Sequence, residues 1–380
     1  MLIASVANKL DVMTVRTTLN AVATQRVMDE IVASGILGLT VRVNDEQGEW
    51  VGSAGAAALG EPGEPPVDGH VRIGSNTKTF TATLALQLVA EGKIDLDAPL
   101  AGYLPEFGLD ERATVRMVLQ HTSGIFNFTG EYYEDGTIVS GIAAPGTPLG
   151  GEWVARRYES YRPEELVRLA LSKPARFEPG TGWSYSNTNY VLARLLIEKV
   201  TGRSVAEETR RLIVGPLGLS GTVVPGTSTV LPEPHAHAYY RLGEGEPVDV
   251  TEHNPSWISA GGDMISTTAD LHTFISALTS GKLLPAPLLS EMFTPGATGI
   301  PNMDYGLGVF VVTTEDGKTL ISHNGGAAGQ AALMYSTLDG RRTLTAALNY
   351  VDDSDLSLAV AFQVASQRLV GEVYGGSTPE

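Results

Sequence analysis

Apolar positions at helical spacing over residues 17–33 stop just before Gly35, and the pattern then changes period. Gly38-Leu-Thr-Val-Arg-Val-Asn44 alternates as a strand does, Asp45-Glu-Gln-Gly48 reads as a turn, and Glu49-Trp-Val-Gly-Ser-Ala54 as the returning strand. A Gly/Pro-rich loop over 60–69 leads to a helical run from Ser75 to Val89, broken at Gly92. Helical patterns follow at 111–120, 163–172, 187–200 and 204–214 with few strand signals among them. After a Pro- and His-rich stretch at 225–256, another helix is predicted over 267–280. Strands are then predicted at Tyr305–Thr313, Thr319–His323, Ala331–Thr337 and Thr343–Asn349, with Asp316-Gly317 and Asp339-Gly340 as hairpin turns. An amphipathic helix over 355–372 closes the pattern.

This order is most simply an α+β fold. One antiparallel sheet takes strands from both ends of the chain, is flanked by N- and C-terminal helices, and accepts an inserted all-helical lobe. The expected division is an α/β sandwich domain at 1–88 and 258–380 and a helical insertion domain at 89–257. A chain of 380 residues exceeds what one hydrophobic core usually serves, in keeping with two lobes.

Composition narrows the function. Lys and Arg number 26 against 43 Asp and Glu, a net charge of −17, which argues against nucleic acid or an anionic membrane as partner. The absence of Cys removes thiol nucleophiles, cysteine-based metal sites and disulfides. The opening Met1-Leu-Ile-Ala-Ser-Val-Ala-Asn-Lys9 has no basic stretch before its short apolar run, a poor signal peptide, so a cytoplasmic protein is expected unless the chain was trimmed from an exported form. No apolar run approaches the ~18 residues a membrane span needs. A small-molecule or peptide substrate is the expected partner, and oligomeric state is left open.

Candidate chemistry begins at Ser75-Asn-Thr-Lys78, where a Lys one helical turn after a Ser shares its face. A serine hydroxyl needs a base, and burial would lower the Lys pKa into a useful range. The same pattern also describes a capping Ser with a solvated Lys. Of the seven Lys, Lys78 alone has Ser at −3. Tyr185-Ser-Asn187 is the single Tyr-x-Asn, before a helix that it could merely cap; a phenol can relay a proton and an amide can hold a Lys. His323-Asn-Gly-Gly326 ends a predicted strand and also reads as a hairpin exit. His235-Ala-His237 is a lone pair in a Pro-rich loop, and no metal is assigned to it.

In this order the three motifs resemble those of the penicillin-recognising serine enzymes: class C β-lactamases, low-molecular-mass DD-peptidases and their esterase relatives. His121-Thr-Ser-Gly124, Phe177-Glu-Pro-Gly180 and Gly261-Gly-Asp-Met-Ile-Ser-Thr267 extend the likeness over most of 30–365, closest to actinomycete-type D-alanyl-D-alanine carboxypeptidases. The resemblance implies Ser75 as acyl-enzyme nucleophile, Lys78 as its proton acceptor, Tyr185 as proton donor to the leaving group and Asn187 as the orienting amide. His323 opens the third motif. The oxyanion hole would be the backbone N–H groups of Ser75 and Gly326, with Asn324, Gly325, Trp257, Phe126 and Phe310 at the substrate. No cofactor is implied. Whether Lys78 or Tyr185 is the base stays open.

Two departures bear on substrate. Asn324 stands where carboxypeptidases carry a Thr, and Val309-Phe310-Val311-Val312 follows Tyr305-Gly-Leu-Gly308 where they carry an Arg. Losing that guanidinium removes a charge-assisted hydrogen bond of roughly 1.5–3 kcal/mol to a free carboxylate, unless Arg341 or Arg342 substitutes. The expectation is a serine acyl-transfer enzyme, DD-peptidase-like, acting on a peptide or ester bond beside a D-residue. An intracellular thioesterase or peptide cyclase, a D-aminopeptidase or a carboxylesterase shares that chemistry. A non-catalytic peptide- or drug-binding protein is the alternative from another class, and Ser75 unpaired with Lys78 would favour it. The long, aromatic-rich segment 131–161 is expected either to shape an acyl-side pocket or to be a plain surface excursion.

Overall fold

The computed structural model describes residues 20–375, apart from Gly146, Ser354 and Leu356. The opening Met1–Lys9 segment and the first residues of the predicted 17–33 helix lie outside them. That helix runs Ala21–Ala33, its first turn capped by the Asn20 side chain on the Ala23 N–H.

Eight strands form one antiparallel sheet in the spatial order Gly48–Gly55, Gly38–Asp45, Thr343–Asn349, Gln330–Thr337, Thr319–Ala327, Phe310–Thr313, Met303–Tyr305 and Gly296–Ile300. The chain ends therefore meet in the sheet: Val41 pairs with Ala346 and Val51 with Arg42. Alternation sorts the strands' side chains between two cores. Leu320, Leu333 and Leu344 join Met28, Ile31 and Leu369 of the terminal helices Ala21–Ala33 and Ala359–Tyr374. Ile321, Ala332 and Met334 face the other way, with Phe80 and Phe274 of the helices Thr77–Ala90 and Thr268–Thr279.

Two predicted elements differ in a way that matters for the site. The run 305–313 is two strands, Met303–Tyr305 and Phe310–Thr313, parted by Gly306-Leu-Gly308. A Cβ on Gly308 would lie 2.3 Å from the Ala82 Cβ and its φ is +79°, so this turn presses its backbone onto the Thr77–Ala90 helix. The segment 89–257 is not purely helical. It carries the hairpin Gly130–Tyr132/Ile138–Ser140, the helix Gly150–Arg156 within the 131–161 stretch, and Tyr239–Arg241, which pairs with Val351–Asp353. No helix among the described residues is long and apolar enough to cross a membrane.

Candidate active site

Ser75 sits in a 3-10 turn, Gly74–Asn76, that runs directly into the Thr77–Ala90 helix. The helix is buried on every side, and four of its positions are Thr, a modest helix former. Each hydroxyl has found a buried partner. Thr77 accepts from the Met264 N–H, Thr79 donates to the Gly308 carbonyl and Thr81 to the Ala260 carbonyl, while Thr83 bonds back to Thr79 O. Asn76 donates to Ile73 O and to Ala332 O on the sheet. The sequence thus ties the nucleophile turn to three other segments by directional bonds.

Lys78 points back along the helix to Ser75, with Nζ 3.1 Å from the Ser75 Oγ, 2.8 Å from Asn187 Oδ1 and 2.6 Å from the Gly261 carbonyl oxygen. The last two atoms can only accept, so they take two N–H bonds of the amine. The remaining position on nitrogen faces the serine hydroxyl and, in the neutral amine, is the lone pair. Burial holds the Lys78 pKa well below its ordinary value, opposed by the charge of Asp263. Asp263 is itself buried and pushed up by desolvation, with Arg194 acting the other way. Both shifts favour an uncharged amine beside an uncharged acid.

Asn187 begins the Asn187–Thr201 helix and is held by the loop after His121, within the same lobe. Its N–H donates to Asn127 Oδ1 at 3.1 Å and its Nδ2 to Thr129 Oγ1 at 3.4 Å. Tyr185 lies over the amine, its ring centroid 4.7 Å from Lys78 Nζ. Desolvation pushes the Tyr185 phenol well up, and a hydrogen bond with Ser75 offsets part of that. Around it stand His121 at 4.3 Å and Tyr305 at 6.4 Å between ring centres. His121 Nδ1 accepts from the Ser186 N–H and from Asn189, which places its proton on Nε2. His323 donates from Nδ1 to the Asn324 carbonyl and can accept the Tyr305 hydroxyl at Nε2, 3.3 Å away. Burial, and after it the charge that Lys78 carries when protonated, lower its pKa to about 3.

The third-motif glycines have a steric purpose. A Cβ on Gly325 would lie 1.9 Å from the Ile73 carbonyl oxygen and 2.5 Å from the Ser75 nitrogen. A Cβ on Gly74 would fall 2.6 Å from the Gly326 nitrogen. The strand end and the serine turn thus meet backbone to backbone. His323 and Phe310 are also neighbours, their rings 5.2 Å apart.

Three expectations need correction. Phe126 is buried in the core of the helical side, and the polar contact to the site comes from its neighbour Asn127. Asn324 turns its amide away, donating to the Tyr335 hydroxyl at 2.8 Å on the sheet face that carries the terminal helices. It follows His323 by one residue, and strand alternation sends it to the opposite side. Arg341 pairs with Glu46 and Arg342 with Asp45, so neither replaces the missing cation. Trp257 is 7 % exposed and packs with Trp153 and Tyr240 while walling a groove that begins at Gly326. His235 bonds the Pro232 carbonyl and His237 the Asp249 carboxylate. His121, Asp263, Asn127 and Thr129 were not singled out from the sequence, although the first two lie in stretches that carry the family likeness.

The Beta-lactamase family matches residues 24–366. This chain belongs to it. The family is one of serine hydrolases, and its members divide among several activities. A solved D-stereospecific amidohydrolase from Streptomyces sp. is 36 % identical, with a TM-score of 0.81 over 94 % of this chain and 100 % of that one. Penicillin-binding protein 4* of Bacillus subtilis is 26 % identical over 85 % of this chain and 70 % of its own length. Esterase EstB of Burkholderia gladioli is 34 % identical over 47 % of this chain and 43 % of its own length.

Proposed function

We propose that this protein is an acyl-serine hydrolase that cleaves an amide or ester bond beside a D-residue, of amidase or aminopeptidase type in preference to carboxypeptidase. The observation that carries the reading is the Lys78 amine, which spends its two N–H bonds on Asn187 and Gly261 and turns its remaining position to Ser75. Ser75 Oγ attacks the scissile carbonyl and gives its proton to Lys78 Nζ as the C–O bond forms. The N–H groups of Ser75 and Gly326 hold the oxygen that becomes negative. Tyr185 then delivers its proton to the leaving nitrogen or oxygen as the C–N or C–O bond breaks and is reprotonated by the Lys78 ammonium, and water hydrolyses the acyl-serine along the reverse path.

Phe310, on the strand after Gly308, is half-buried and backed by the buried rings of Tyr305 and His323, an aromatic cluster with no charge. A substrate with a free C-terminal carboxylate would bury that charge there without a cation, which argues against a strict carboxypeptidase. The likeness to a D-stereospecific amidohydrolase over the whole of that chain supports the amide and D-residue parts of the reading. The 34 % likeness to an esterase favours ester cleavage as the second reading. A purely binding protein is disfavoured by the Lys78–Ser75 hydrogen bond.

The test is turnover of D- and L-phenylalanine p-nitroanilide by the wild type and by Ser75→Ala, with intact-protein mass to detect the acyl-enzyme formed from p-nitrophenyl acetate. D-selective turnover and a Ser75-dependent acetyl adduct are expected. Equal activity in Ser75→Ala overturns the mechanism, and selectivity for the L-isomer overturns the D-residue assignment.

A further inference from the structure

Gly326, at the end of the third-motif strand, also lines a groove. Its volume is about 260 Å³, and Ser75, Lys78 and Tyr185 are not among its lining residues. Its walls are Trp257, Pro145, Tyr350 and Phe362, so the helical side, the 131–161 stretch, the end of the sheet and the C-terminal helix all contribute. Among the described residues that line it, Asp352 alone carries a charge.

Asp352 lies on Val351–Asp353, in register with Tyr240 of Tyr239–Arg241. Its Oδ1 accepts the Asp353 N–H at 3.0 Å, and the Gly329 backbone donates to the same carboxyl. Two backbone donors fix the direction of the group and leave acceptor positions open. No Lys or Arg among the described residues forms an ion pair with it, and the neighbouring charge that acts on it is a second carboxylate, Asp353. Desolvation raises its pKa to about 6, the condition of a carboxylate that lacks a counter-cation. An apolar cleft with one oriented, unpaired carboxylate recognises an apolar body bearing an ammonium group.

We propose that this groove is the acyl-side pocket and that Asp352 binds the free amine of the substrate's acyl portion, so that the preferred substrates are amides or esters of D-amino acids or short D-peptides with an unblocked, positively charged amine and an apolar side chain. This rests on the serine acyl-transfer reading above. The acyl portion is assigned here because the leaving group must meet Tyr185, which lies outside the groove. Part of the 131–161 stretch then has a task, since Pro145 forms one wall.

The experiment compares kcat/KM for D-phenylalaninamide and N-acetyl-D-phenylalaninamide in the wild type, Asp352→Asn and Asp352→Glu. The wild type should prefer the free amine, and the ratio of the two constants should fall about tenfold or more in Asp352→Asn, carried mainly by KM. Asp352→Glu, which keeps the charge, should recover part of the preference, a result that a folding defect would not give. An unchanged ratio in Asp352→Asn, an equal fall for both substrates, or a wild-type preference for the N-acetyl compound overturns the proposal. So does a wild type that acetylates Ser75 from p-nitrophenyl acetate yet turns over neither amide. Absence of that acetyl adduct is the failure of the serine mechanism itself, and the mass measurement separates the two.

Discussion

Two helices of similar length pack on opposite faces of the sheet and are held by different physics. Ala359–Tyr374 buries Ala365, Leu369, Val373 and Tyr374 on one side and leaves Val360 69 % exposed on the other, so its hold on the sheet is mainly apolar area. Thr77–Ala90 is buried all round, and its Thr hydroxyls bond to Met264, Gly308 and Ala260. Area fixes which face of a helix is covered and leaves small shifts cheap. Directional bonds fix rotation and height to within a few tenths of an ångström, which a Ser–Lys pair needs to function. The threonine-rich helix, held by directional bonds, is the one that carries the chemistry.

Substitutions can break that contrast at different depths. Ser75→Ala should reduce turnover on the order of a thousandfold or more while the far-UV spectrum and melting temperature stay near wild type. The pH profile comes next. Because burial depresses the Lys78 pKa, the amine loses its proton at lower pH than a free lysine, so kcat/KM should rise with pH through the depressed value and then level. His323, with a pKa of about 3, is already neutral across that range. His323→Asn should therefore leave the position of the acid limb where it is; a displaced limb would transfer the assignment to the histidine.

Gly308→Ala introduces a methyl 2.3 Å from Ala82 and a strained φ, and the helix must shift. A loss of about 1–3 kcal/mol in chemical denaturation, with a disproportionate fall in kcat, is expected. Leu369→Ala, in the other core, should cost about 2–5 kcal/mol of stability with kcat/KM per folded molecule within about twofold of wild type. Equal kinetic damage from Leu369→Ala and Gly308→Ala would erase the distinction between the two faces. The smallest kinetic effect is expected from Asn324→Ala, which loses one hydrogen bond to Tyr335, about 1 kcal/mol. A large change in substrate KM there would return Asn324 to the cleft.

The spacing of Ser75 and Lys78 was legible because one helical turn is local geometry, and the sheet elements from 319 to 349 were legible because their period is two. Asn324 shows a legible fact that was outweighed: the same period places it opposite His323, while the family likeness suggested a role at the substrate. Phe126 shows the reverse. In the loop after His121 no period says which of Phe126 and Asn127 faces the site, and the apolar residue went to the core. The break at Gly306–Gly308 was hidden for a related reason, since alternating apolar residues on both sides imitate one long strand. Asp263 and His121 carried no individual signal, because their shifted ionisation arises from burial.

What the sequence by itself determined is local and periodic: the serine one turn before its lysine, the alternating strands, the glycines that permit close approach, and the lack of an Arg after Gly308. The tertiary structure alone decided which distant groups share the cleft. It brings Gly261, 183 residues away, to within 2.6 Å of the Lys78 amine and places Asn187 opposite. It also sets Asp352 in an apolar groove, where no Lys or Arg among the described residues forms an ion pair with it. Burial and partnership depend on what arrives from elsewhere in the chain, and those two quantities set the charge of every group in the site.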